Sequence, residues 1–319
     1  MEFGHYLKEC RKNFGLTQEE LVEALYTTDP ELFGSLDASA LSKWERGVSQ
    51  TSYRKMGMIL RYFQQQSGMP LPCIDDQDPQ SAERGLCEQA MRYLLGTPPR
   101  HLVIDLHMDR LQAEHFSIIP LRQFERMDEL LEIHQNLHEN LTPPHDRLSI
   151  EQTREWALHP ESLFYVILYK RTLLGFFFSL RIRPERFESI MEMTLRKNEL
   201  RIDDLARPGE KASVLILSFF ALDSRMASLL LLRLYAHLIA HQREIRELGL
   251  VSTLPEVDRV VERMALRISR TREIDGRRHR AYRNDLFRLF SNETAMRLLF
   301  PKEECPEPYP SPDNRSDDR

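Results

Sequence analysis

At the start of the chain, apolar positions recur at three- and four-residue spacing. Phe3, Tyr6, Leu7 and Cys10 fall on one stripe, which predicts a helix over residues 3–13. Beyond Gly15, Thr17 stands three residues before Glu20, the reciprocal arrangement that caps a helix start, and Leu21, Ala24 and Leu25 continue on one face. Asp37 can cap a further helix in which Leu41 and Trp44 face inward and which Gly47 ends. Residues 51–66 carry one more helical pattern.

The texture changes at residue 67. Ser67-Gly68-Met69-Pro70-Leu71-Pro72, Asp75-Asp76-Gln77-Asp78-Pro79 and Gly96-Thr97-Pro98-Pro99 have linker composition, with one amphipathic helix expected over residues 82–95. Strand and helix patterns then alternate. Residues 101–107 alternate as a strand, and residues 123–139 are helical. Residues 163–169 and 173–181 are strand runs joined by Lys170-Arg171-Thr172, a hairpin by length. Residues 213–222 form a near-continuous apolar run, as in a strand covered on both faces. A long helix over 226–246, a short strand over 249–254 and a helix over 256–267 follow, and the proline-rich, acidic residues 301–319 read as disordered. The expectation is a multidomain protein: an all-α domain at 1–66, a linker at 67–100, and a mixed α/β domain at 101–300 ahead of the 301–319 tail.

A length of 319 residues suits two cores, and 41% hydrophobic with 29% charged residues is ordinary for a folded chain. A net charge of −5 confines any nucleic-acid surface to a local patch. Cys10, Cys73, Cys87 and Cys305 are scattered, which argues against a disulfide framework or a cysteine zinc site. Lys170 and Arg171 interrupt one greasy stretch; Asp223, Arg225 and Arg233 interrupt the other, so no membrane span is expected and the chain reads as cytoplasmic. His134/His138 and His237/His241 have helical chelate spacing but no acidic partner in the motif, and no metal is assigned. Residues 267–288 are rich in arginine, a solvated face or an anion-binding strip. No nucleophilic triad or reactive cysteine stands out, and no catalytic residue is assigned.

Leu16-Thr17-Gln18-Glu19-Glu20-Leu21, followed by Leu41-Ser42-Lys43-Trp44-Glu45-Arg46-Gly47, resembles the XRE, or lambda-repressor-like, helix-turn-helix family. The chain departs from that family in the insertion over residues 26–36, which holds Asp29-Pro30 and Gly34. The resemblance implies a transcriptional regulator that binds double-stranded DNA, with Ser39, Ala40, Ser42 and Lys43 facing the major groove. It also implies Thr17 and Gln18 at a phosphate-facing helix N-terminus, with Arg11, Arg46 and Arg54 as phosphate contacts. One such domain reads few base pairs, so a homodimer is expected.

The string Val214-Leu215-Ile216-Leu217-Ser218-Phe219-Phe220-Ala221-Leu222-Asp223 with its helix, then Gly249-Leu250-Val251-Ser252-Thr253-Leu254-Pro255-Glu256 with its own, is similar to the GNAT acyltransferase fold over residues 100–290. That family holds the coenzyme A pyrophosphate on a glycine-rich turn. The matching place, Asp223-Ser224-Arg225-Met226-Ala227-Ser228-Leu229, has no glycine, which leaves Arg225, Met226, Ala227 and Ser228 as candidate cofactor contacts. The family's tyrosine is missing from the later helix, and Tyr282 lies off-register. The expectation is a degenerate domain, not an enzyme, that senses a small-molecule effector such as acyl-CoA or mediates dimerisation. The alternative is an active acyl-CoA-dependent N-acyltransferase with a DNA-targeting helix-turn-helix domain.

Overall fold

Side-chain caps punctuate the first part of the chain. Helix α1 (Phe3–Asn13) is followed by α2 (Gln18–Thr28), where Thr17 and Glu20 form the reciprocal capping box. Asp29 caps α3 (Pro30–Phe33), Asp37 caps α4 (Ala38–Glu45), and Ser52 caps α5 (Tyr53–Ser67). The 26–36 insertion is thus an extension of α2 plus the short α3, whose Phe33 is fully buried in the shared core. Gly47 and Gly68 hold positive φ after α4 and α5, where a Cβ would be strained.

The computed structural model describes residues 2–74, 115–141, 146–222, 224–255 and 257–300. The helix expected at 82–95, the strand at 101–107 and the 301–319 tail lie outside the described residues. Beyond residue 114 a seven-stranded sheet is built from β1 (Phe116–Pro120), β2 (Ser162–Tyr169), β3 (Thr172–Ile182), β4 (Ala212–Ala221), β5 (Ile245–Ser252), β6 (Arg267–Ile274) and β7 (Arg277–Asp285). Its order is β1-β2-β3-β4-β5-β7-β6. Only β4 and β5 run parallel, because α9 (Ser224–Ala240) crosses between them; the other neighbours are antiparallel.

One face of the sheet is covered by α6 (Met127–Leu141), α7 (Ile150–Leu158) and α8 (Pro184–Met191), around Trp156, Phe178 and Phe187. The other face packs α9 and α10 (Val257–Arg263), and it is continuous with the core of α1–α5 through α11 (Leu286–Phe290) and α12 (Glu293–Leu299). Phe300 meets Phe3 and Tyr6 with ring centroids 5.2 Å apart in each case. Gln242 accepts from the Leu71 amide at 2.7 Å and donates to its carbonyl at 3.0 Å, as a neighbouring strand would. No helix among the described residues is long and apolar enough to cross a membrane.

Two expectations are corrected. The helix expected over 226–246 stops at Ala240, and Ile245 already belongs to β5, because Ile245 and Leu248 pair with Ala212 and Val214. The arginine-rich stretch is the β6–β7 hairpin, turned by Asp275 and Gly276, both at positive φ. Its guanidinium groups are largely engaged: Arg270 with Glu192, Arg272 with the Met193 carbonyl, Arg280 with Asp258, and Arg283 with Glu188 and Glu247.

Candidate active site where two parallel strands part

Strands β4 and β5 stay paired only through Ala212–Ile245, Val214–Leu248 and Leu215–Gly249. Just past that point β4 carries a bulge: Phe178 faces Ser218 and Ser179 faces Ile216, which leaves Leu217 as the extra residue. A bulge bends its strand, and here it takes β4 away from β5. Residues 216–221 of β4 then pair only with β3, and residues 250–252 of β5 pair only with β7. The facing edges therefore keep backbone N–H and C=O groups that no strand uses. Gly249 marks the parting point. A Cβ there would meet the Tyr282 carbonyl oxygen at 2.7 Å and the Phe187 ring at 2.8 Å.

Between the parted strands runs a cavity of about 260 Å³. It passes through the sheet, because its walls come from both faces: His134 and Leu137 of α6 on one, Val257, Val261 and Met264 on the other. The half by α10 is apolar. The half by α6 gathers His134, Asp146, Lys197, Ser218 and His279.

Each of these polar groups has a physical reason for its state. His134 is buried against Phe164, Phe176 and Phe178, and its Nε2 lies 2.9 Å from the Ser218 hydroxyl. Burial pushes the imidazole down to about 4, so it is neutral near pH 7 and orients Ser218 without carrying charge. His279 is also buried, with Nδ1 3.7 Å from the Asp146 carboxylate. A proton on Nδ1 would point to that carboxylate. Lys197 donates from Nζ to the Val251 carbonyl at 3.3 Å; burial lowers its pKa and the Asp146 charge opposes that. Tyr282 donates to Asp258 and does not line the cavity.

The sequence pointed to other residues. Of the candidate cofactor contacts, Met226 is fully buried in the core, Ala227 and Ser228 are half-buried, and the Arg225 side chain lies outside the described residues. The Met226 side chain turns inward, away from the N-terminus of α9. Leu229, Leu230, Leu232 and Leu234 are core as well, while Phe176, Phe219 and Phe220 line the cavity. His134, Asp146, Lys197, Ser218 and His279 carry no motif, and only folding collects them. His134 was singled out for its helical spacing, but it faces Ser218.

The helical region also reassigns some candidates. Arg11 donates from Nε to Glu45 at 2.6 Å and from Nη1 to the Leu16 carbonyl at 2.7 Å, so it is an internal tie where a phosphate contact was expected. Gln18 donates to the same Glu45 at 2.8 Å. Burial pushes the Glu45 carboxyl up, but these two donors hold it below its ordinary value. Thr17 is engaged in its capping box, and Arg46 folds back on the Ser42 carbonyl at 3.3 Å. Ser39, Lys43 and Arg54 are exposed, while Ala40 and Ser42 are half-buried.

No family model and no curated protein matches the chain. Solved structures do. Naa50 of Arabidopsis thaliana, in complex with the bisubstrate analogue CoA-Ac-MVNAL, is 13% identical, with a TM-score of 0.36 over 53% of this chain and 98% of that one. FeeM, an N-acyl amino acid synthase from uncultured soil microbes, is 9% identical, with a TM-score of 0.38 over 55% of this chain and 92% of its own. The aminoglycoside N(6′)-acetyltransferase of Legionella pneumophila is 9% identical, with a TM-score of 0.34 over 55% and 94%. At such identities the likeness concerns fold alone. The expectation of a domain without catalysis does not stand against this geometry: the cleft is open and gathers His134, Asp146, Lys197, Ser218 and His279. The mixed seven-stranded sheet with its flanking helices is the α/β architecture expected after the helical region.

Proposed function

We propose that the α/β region is an acyl-coenzyme A-dependent N-acyltransferase. The observation that carries this reading is the parting of β4 from β5 over a cavity that crosses the sheet. The pantetheine arm of coenzyme A is long, thin and bears two secondary amides. A free strand edge pairs with amides of that kind much as it would with another strand. The first turn of α9 begins three residues after β4 ends, and its N–H groups suit a pyrophosphate even without glycines, because Met226 points away. Coenzyme A supplies the acyl group as a thioester. An amine reaching the cavity from the α6 side would meet the His279 imidazole. Attack on the thioester carbonyl would form the C–N bond and break the C–S bond; His279 would take the proton that the nitrogen loses and return it to the departing coenzyme A thiolate, which leaves as the free thiol, with Asp146 steadying the charged imidazole in between. Lys197, held on the Val251 carbonyl, would offer positive charge to the thioester carbonyl oxygen.

The test is thiol release from acetyl-CoA and hexanoyl-CoA with a panel of amino acids, polyamines and peptides as acceptors. Turnover by the parent, with His279→Gln lowering kcat by about a hundredfold or more, is the expected result. Absence of both coenzyme A binding and thiol release overturns the reading.

The helical region supports a DNA-targeting role beside this activity. Ser39 and Lys43 are exposed on α4, Arg54 is exposed near the start of α5, and the Arg11–Glu45–Gln18 tie holds α1, α2 and α4 in one arrangement. A second copy of the chain would supply the other half-site.

A further inference from the structure

Where α5 meets the α11–α12 corner and the start of β6, a second crevice opens, with a volume of about 500 Å³. It shares no lining residue with the cleft between β4 and β5. Three arginines from three elements line it: Arg61 of α5, Arg267 of β6 and Arg288 of α11. Among the described residues no aspartate or glutamate does. Arg61 donates to the Ser291 hydroxyl at 3.1 Å, and Arg288 lies 3.6 Å from Asp285, with its side chain still 62% exposed. Arg267 is exposed and has no acidic partner among the described residues. This sets it apart from Arg270, Arg280 and Arg283, which are matched by carboxylates. Three guanidinium groups around one hollow repel one another, and a polyanion relieves that repulsion while accepting their paired N–H donors.

The crevice also holds a ring. Phe287 is 37% exposed in it, beside the exposed Gln65 amide. The backbone carbonyl of Phe287 accepts from Gln64 at 2.9 Å, which fixes the ring's position against α5. An exposed aromatic face next to clustered arginines is a platform for a flat base carrying phosphates. A volume of this size falls in the range of small-ligand pockets. The concave seam suits a single nucleotide, whereas a duplex presents its phosphates on a convex surface.

We infer that the seam between the helical and α/β regions binds a free nucleotide with two or more phosphates, Arg61, Arg267 and Arg288 gripping the phosphates and Phe287 stacking on the base. This site is separate from the acyl-transfer reading and does not depend on it. A nucleotide there touches both regions at once, so it stiffens their mutual packing.

The experiment is calorimetric titration of ATP, and separately of inorganic tripolyphosphate, into the full-length protein. ATP binds the parent, and Arg267→Ala, which removes no internal contact, weakens it about tenfold. Tripolyphosphate binds about tenfold more weakly than ATP, and Phe287→Ala erases that difference. Four results overturn the proposal: no binding at millimolar ATP, ATP affinity unchanged in Arg267→Ala and Arg61→Gln, ATP binding lost in Ser218→Phe, or random duplex DNA losing affinity on these substitutions while ATP does not bind. Loss in Ser218→Phe would assign the ATP to the β4–β5 cleft, where Ser218 lies, so failure here is distinct from failure of the acyltransferase reading.

Discussion

Gly57 sits inside α5, where a glycine has no local justification. An exposed helical glycine replaced by alanine gains about 1 kcal/mol. Here the sign should reverse. A Cβ on Gly57 would lie 2.4 Å from the Ser291 carbonyl oxygen and 3.9 Å from Cγ of Met296. Ser291 cannot easily yield, because its amide donates to the Phe287 carbonyl at 3.2 Å and its hydroxyl accepts from Arg61 at 3.1 Å. Helix α5 must then lift off the α11–α12 corner. Forced overpacking of this kind costs about 1–3 kcal/mol. Lifting also strains the Gln64–Phe287 hydrogen bond, about 1 kcal/mol more. After the helix-propensity gain, Gly57→Ala loses about 1–3 kcal/mol. Urea unfolding measures this, and the chain's two tryptophans report on separate parts: Trp44 on α4 and Trp156 on α7. A higher midpoint in Gly57→Ala, as at an exposed helical glycine, would refute the packing of the helical region on α11 and α12.

Arg181 is buried between the carboxylates of Glu161, at 2.6 Å, and Glu244. Arg181→Met strands both and should cost about 3–5 kcal/mol in a thermal or urea melt; an unchanged melt would mean the cluster is not formed. The depressed His134 also gives the stability a pH dependence. The unfolded imidazole takes a proton near its ordinary value of 6.5, and the folded one only at about 4. Its contribution is therefore fully present above pH 6.5 and declines as the pH falls toward 4, by about 3 kcal/mol in all. His134→Gln should flatten that acid slope, and an identical slope in the variant would count against the burial. Lys43→Ala and Ser39→Ala should each weaken specific DNA binding by about 1–3 kcal/mol with the fold intact; parental affinity in both would remove the groove assignment.

Local signals were the legible part of the sequence. Thr17 and Glu20, Asp37 and Gly47 fixed helix ends because caps act over three or four residues. The β2–β3 hairpin and β4 were readable from apolar runs, with bounds within a residue or two of those observed. Strand β5 was half hidden, because Ile245 continues the apolar spacing of α9 and only its pairing with Ala212 makes it a strand. The β6–β7 hairpin was hidden more fully, since its alternating arginines are matched by carboxylates distant in the chain, such as Glu192 and Asp258. The cleft was the least legible. Nothing near Leu217 announces a bulge, and His134, Asp146, Lys197, Ser218 and His279 come from five separate segments. The absent glycines after β4 suggested a dead site, because a sequence cannot tell that Met226 turns into the core.

The central claim is that the parted β4 and β5 edges hold coenzyme A. Titration of acetyl-CoA into the parent and into Ser218→Phe, which fills the cavity beside His134, tests it most directly, because it needs no knowledge of the acceptor. Saturable binding by the parent, lost in Ser218→Phe while both proteins unfold at the same urea concentration, is the predicted result. No binding by the parent at millimolar acetyl-CoA, or equal binding by the two proteins, would contradict it.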